Sequence, residues 1–300
     1  MASKTKAPAE PDTPGTAVAT APVPSSTGLV TQDLADLLLQ DAKDNVQKFS
    51  TDDLAIPFLR VLQGLSPEVT RGNEKYLPDG RPSMFINTVT REVFDGEEGV
   101  LVVPVAFTPS YTEWKPRATG GGFVKDWRTD PSNSARCSRD PETGKDRTPE
   151  GTEMVRAGMY YVLLVDEKNG TARQCVLSLS GTQLKKARRW NSIIKELVAK
   201  HPTTGAPFTP AMFYMSYRIT SVPEKNDKGS WFGVNIVPDG PTIGLDNGEA
   251  LYRTAREFCA AALSGAVRTQ PIQDAVGVVI EDIPAGAAPT PQREPGDEPF

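Results

Sequence analysis

A mainly antiparallel β fold with one helix inserted ahead of its last two strands is what this 300-residue chain predicts, and three observations carry the prediction. The run 100–107, VLVVPVAF, is apolar almost throughout, as a strand covered on both faces must be. Two further strand-like runs, 158–166 and 172–180, are joined at Lys168-Asn169-Gly170, whose Asn-Gly pair is a hairpin signal. A stretch of helical periodicity at about 181–200 then precedes two more strands, 211–222 and 230–237. Strands with a helix between the third and the fourth follow the order of an OB-type barrel, a small sheet that closes its own edges. The predicted class is α+β, mainly β: an OB-like antiparallel barrel with extra strands in front and flanking helices. A different barrel or an open α+β sheet is written by the same string of elements.

Taken in order, residues 1–28 are Ala, Pro, Thr and Ser without apolar periodicity, which predicts a disordered tail because too little surface can be buried to offset ordering. Leu34, Leu37, Leu38, Ala42 and Val46 stand at helical spacing behind Thr31, so a helix is expected at about 31–48. Residues 54–65 are apolar but broken by Pro57 and Gly64, and read as a connector. A strand near 83–90 leads to 100–107, and a second strand starts at Tyr111. Gly120-Gly121-Gly122 permits a sharp turn or a close backbone approach. Breakers recur through 129–153, which is expected to be a mobile loop. In the helix at 181–200, Leu184, Ala187, Trp190, Ile194, Leu197 and Val198 share one face. The polar turn 224–229 separates the last two strands, and a helix at 246–264 closes the body. One domain, 29–283, is thus expected between the tail at 1–28 and a second disordered tail at 284–300.

Cys137, Cys175 and Cys259 lie far apart and His201 is the single histidine, which argues against a zinc site, a disulfide scaffold or a His-based triad. No metal or other cofactor is expected. No apolar run approaches the roughly 20 residues that cross a bilayer, and the N-terminus lacks a signal-peptide core, so the expectation is a cytoplasmic protein with no membrane partner. The net charge of −5 is unevenly spread. Residues 111–195 carry 16 Lys or Arg against 10 acids, whereas 281–300 hold Arg293 against five acids. Cations are concentrated in the middle and acids at the ends, which points to an anionic partner for the body.

The central run supplies the binding candidates. Tyr111, Trp114, Lys115, Arg117, Phe123, Lys125, Trp127 and Arg128 alternate rings with cations, a composition on which bases stack while phosphates are neutralised. The competing reading is a hairpin whose rings face inward. Lys185, Lys186, Arg188 and Arg189 form a second basic patch, or a solvated helix face. In the loop, Arg136, Arg139, Lys145 and Arg147 are positioned either to clasp a nucleic acid or simply to face water. Asp95 followed by Glu113-Trp114-Lys115 matches, superficially, the two carboxylates and Lys of a metal-dependent nuclease. The triple glycine is not followed by G-K-[ST], so it is no phosphate loop.

The runs IPFLRVLQGLSPEV (56–69), MFINTVT (84–90), VLVVPVAF and EWKPR…GGGFV occur in the order seen in a family of tailed-phage proteins, usually called single-stranded DNA-binding proteins, which residues 54–127 resemble. The ending, Arg293 to the terminal Asp297-Glu298-Pro299-Phe300, is similar to the acidic tip of bacterial and phage single-stranded DNA-binding proteins. The resemblance implies a non-catalytic protein of phage replication or recombination, with single-stranded DNA as ligand. It also implies a tip that docks replication or recombination enzymes through Phe300 and competes with DNA for the basic body. A homo-oligomer is compatible with it, and the host bacterial cytoplasm is the implied location. The alternatives are the nuclease built on Asp95, Glu113 and Lys115, and a virion or assembly protein that uses its sheet for protein contacts.

Overall fold

The computed structural model describes residues 55–269, apart from Arg117, Ala118, Pro131, Pro202, Lys228 and Arg268, together with Asp36, Leu37 and Gln40. The chain divides into two units, Met1–Lys48 and Phe49–Phe300. In the first, Asp36, Leu37 and Gln40 are helical, within the helix expected at 31–48. The tails expected at 1–28 and 284–300 lie outside the described residues.

In chain order the second unit runs β1 (Leu59–Val61), β2 (Phe85–Asn87), β3 (Val93–Phe94), β4 (Val100–Trp114), β5 (Phe123–Arg128), β6 (Ser138–Arg139), β7 (Asp146–Arg147), β8 (Glu153–Asp166), β9 (Thr171–Ser180), α1 (Leu184–Glu196), β10 (Ala199–Lys200), β11 (Pro207–Phe208), β12 (Met215–Asn226), β13 (Gly229–Pro241) and α2 (Gly248–Leu263). The five long strands are antiparallel neighbours in the order β13-β12-β4-β8-β9. With α1 between β9 and β12, this is the OB-like order that the sequence predicts. Strands β1 to β3 form a small separate sheet, the extra strands in front.

The long sheet curls into a half-barrel, and the connector ahead of β2 runs between its two edges. At one edge the Val176 N–H of β9 donates to Pro57 O (2.8 Å), and Phe58 bridges Val176. At the other, the Gln63 side chain acts as a short strand on β13: its amide donates to Phe232 O (2.8 Å) and its Oε1 accepts from Phe232 N–H (2.9 Å). Pro57 and Gly64, which break any helix here, leave the segment extended enough to do this.

Two apolar layers result, and β4 belongs to both. Val100 and Val102 point into the barrel with Tyr160, Leu177, Tyr217 and Val234, where Trp190 of α1 fills the centre, stacked on Tyr160 at 4.3 Å between ring centroids. Leu101 and Val103 point outward with Leu163 and Val176, under Leu251, Ala255 and Phe258 of α2. A strand that alternates between two cores has no solvent face, which explains the unbroken apolar run at 100–107. α1 ends at Glu196 and leads into β10, short of the expected residue 200.

Candidate nucleic-acid interface

Beyond Ser110 and before Ala157, β4 and β8 continue past the barrel as an arm, residues 111–156. β5 lies on one side of it and β7 with β6 on the other. The triple glycine makes the β4–β5 turn, with φ of 97°, 64° and 119°, closed by Lys115 N–H to Gly122 O (2.8 Å). Residues 129–153, expected as a mobile loop, are largely folded here: a helical turn at Ser132–Ala135, then β6 and β7 extending the sheet.

Polar contacts hold the arm. Glu113 is buried, at 6 % exposure; its Oε2 accepts from the Trp127 indole N–H (2.9 Å) and its Oε1 from the Thr152 hydroxyl, itself hydrogen-bonded to Thr148 (2.6 Å). Around this centre Arg136 pairs with Glu150 (2.6 Å), Arg139 with Asp146 (3.1 Å), Lys145 with Glu153 (3.1 Å) and Arg147 with Asp140 (2.8 Å). The four loop cations singled out from the sequence are therefore neutralised inside the arm.

The alternating rings and cations do not share one face. Register puts Tyr111 opposite Arg156, and Glu113 opposite both Met154 and Lys125, on the side continuous with Phe107 and Tyr160 of the barrel interior. Trp114, three residues from Tyr111, falls on the other side, edge-on to Phe123 at 5.4 Å. Tyr111, 8 % exposed, is a core ring of the arm and not a stacking platform, which corrects the expectation for it. Trp114, Phe123 and Trp127 are half-buried, and Lys125 lies 3.9 Å from the Trp127 ring centroid, a cation–π contact. Lys115, Lys125 and Arg128 are exposed and make no ion pair among the described residues. Arg117 lies outside them.

On α1 the second patch also separates. Lys186 pairs with Glu224, whereas Lys185, Arg188 and Arg189 are exposed and without an ion pair among the described residues. The helix has no acid in its first turn, where its N-terminus favours negative charge, and carries Lys185 and Lys186 there instead. The sequence reading passed over two residues. Arg156, exposed on β8, was legible from the alternation of that strand. Trp231, half-buried near the β12–β13 turn, donates its indole N–H to Glu224 (2.8 Å), a contact between residues on two strands that no local pattern announces.

The nuclease arrangement is not assembled. Asp95 caps the turn ahead of β4 by accepting from the N–H groups of Glu97 and Glu98 (2.8 and 2.9 Å). Glu113 is near the far end of the same strand, about 40 Å along it at some 3.3 Å per residue, with both oxygens engaged. The two carboxylates cannot share an ion. Among the described residues no group of three or more His, Cys, Asp or Glu is placed to hold a metal, and no helix is long and apolar enough to cross a membrane. Burial pushes the Cys175 thiol up to about 12, so it is inert as a nucleophile. Asp297 to Phe300 lie outside the described residues.

The fold and the arm define an OB-like barrel protein with an elaborated loop between its first two long strands. The chain belongs to the Pam3 phage gp34-like protein family, whose model matches residues 28–268, so this is a bacteriophage protein family. No curated protein and no solved structure matches the chain.

Proposed function

We propose that the protein binds single-stranded DNA without catalysis, in phage replication or recombination within the host cytoplasm. The observation that supports this best is the sorting of the arm's cations. Those on the β6–β7 side of the arm are consumed in ion pairs, whereas Lys115, Lys125 and Arg128 make no ion pair among the described residues, and Lys125 lies against the half-buried Trp127 ring. Rings and unpaired cations together are what a sequence-tolerant single-strand site requires. A titration with fluorescent oligo-dT and matched duplex over several salt concentrations tests it. Single strands should bind tighter than duplex, with the affinity falling roughly 0.7 log unit per log of salt for each phosphate neutralised. The labelled strand should stay intact in magnesium. Equal affinity for both forms, or none, sinks the reading.

The same reading gives the C-terminal tip a role as partner dock and tethered competitor. The five acids in residues 281–300, on a Pro/Ala/Gly linker, are at high effective concentration near the basic middle of the same chain. Deleting 294–300 should tighten oligo-dT binding at low salt, with the gain shrinking as salt screens the tail. A deletion without effect at any salt rules the competition out.

A further inference from the structure

OB-type barrels take oligonucleotides on the outer face of their second and third strands, flanked by the loops after the first and fourth. Here those strands are β8 and β9, and their outer face is covered. Leu251, Ala255 and Phe258 of α2 pack on it, with Phe258 edge-on to Tyr161 at 6.0 Å, and Ile56 and Phe58 join the same layer. The exposed side of α2 is also electrically balanced, with Glu249 and Glu257 against Arg253 and Arg256.

The end of the barrel from which the arm leaves is different in both respects. Ala157 of β8 pairs with Ser180, after which the chain turns directly into α1. Gly158 is the point where α1 comes down: a Cβ there would stand 3.1 Å from the Phe107 ring and 3.5 Å from Ala187, so the absent side chain lets the helix meet the root of the arm. From the start of α1, the Gln183 amide donates to Glu224 Oε2 (2.9 Å), which also accepts from Trp231 (2.8 Å). The arm root, the first turns of α1 and the β12–β13 hairpin are thus one connected surface. On it Arg156, Lys185, Arg188, Arg189 and Lys225 are exposed and carry no ion pair among the described residues, and the indole of Trp231 is pinned by its N–H while its ring stays half-exposed.

We infer that a single strand is held across this end of the barrel, from the inner side of the arm over the first turns of α1 to the β12–β13 hairpin, with Trp231 as a stacking ring. The outer β8–β9 face is given up to α2. Charge complementarity to phosphate, a fixed aromatic and the covered alternative face all favour a nucleic-acid strand as occupant. The inference rests on the proposed single-strand binding and goes beyond it by naming the track.

The test is the oligo-dT titration on the full chain with four variants. Lys185→Ala/Arg188→Ala/Arg189→Ala should flatten the salt dependence by up to about 2 log units per log of salt, since each lost phosphate contact removes roughly 0.7. Trp231→Ala should weaken binding about tenfold and Trp231→Phe should retain most of it, as base stacking on a ring demands. Arg253→Ala/Arg256→Ala on α2 should bind as the parent does. If the parent protein binds no oligo-dT, the functional reading itself falls. If the parent binds but the α1 triple variant matches it in affinity and salt slope, the track is wrong while the function stands. The triple variant changes only exposed side chains, so it decides the matter even should Trp231→Ala fail to fold.

Discussion

The barrel and the arm are made from the same two strands, β4 and β8, and are held together by different forces. Within the barrel each strand turns its side chains into two apolar layers, with Trp190 stacked at the centre of one and Phe258 over the other. Past Ser110 neither apolar layer continues, and the arm is held by a buried carboxylate, two indole or hydroxyl donors and four ion pairs. The difference teaches where to look for a binding surface in a basic segment. Cations that hold the arm together are already spent, whereas Lys115, Lys125, Arg128 and Arg156 are exposed and carry no ion pair among the described residues.

The sharpest way to break this comparison is to remove the centre of each region in turn. Trp190→Ala should cost the whole unit about 3–5 kcal/mol, because a fully buried ring leaves a cavity that the barrel cannot fill. Glu113→Ala should cost less, on the order of 2–3 kcal/mol, and should cost it locally: the Trp127 and Thr152 donors lose their acceptor while the barrel keeps every contact. Urea unfolding gives the first number, and amide hydrogen exchange shows whether the second is confined to 111–156. If Glu113→Ala lowers protection in β9 and β12 as much as in β5, the arm is not a separable region.

The barrel was legible from sequence because its signals are local. Apolar runs, an Asn-Gly hairpin and one amphipathic helix placed β4, β8, β9, α1, β12 and β13 in the right order. The arm was legible only as composition. Tyr111 and Trp114 look like neighbours on a ring-and-cation stripe, yet a spacing of three residues puts them on opposite faces of a strand, and Tyr111 is buried. Residues 129–153 are full of breakers, and what orders them is long-range pairing, such as Arg136 with Glu150, that leaves no periodic trace. Trp231 escaped notice for the same reason: its partner Glu224 lies across a hairpin, and Gln183, which also holds Glu224, comes from another part of the chain.

The smallest expected effect separates the two regions by acid. Backbone N–H donation from Thr143, aided by the Thr143 hydroxyl, Glu142 N–H and Arg147, holds the Asp140 carboxyl at about 2, below its ordinary value of about 3.9. Glu150 is lowered as well, chiefly by backbone hydrogen bonding and by Arg136. A carboxylate whose folded value is depressed stabilises the fold fully above its unfolded value and loses that contribution as pH falls through the folded one. The window is therefore from about pH 4 down to about pH 2. Glu150 is exposed and Asp140 only half-buried, so the contribution is modest and salt-screened. Trp127 and Trp190 report the regions separately through their indole N–H resonances in NMR. Across that window the Trp127 signal should shift and broaden while that of Trp190, buried among apolar neighbours, holds. Asp140→Asn should move the arm's acid transition and leave the barrel's where it was. Coincident loss of both signals, or an Asp140→Asn variant with the parent's acid profile, would mean that the arm's ion pairs add nothing and that its order comes from Glu113 alone.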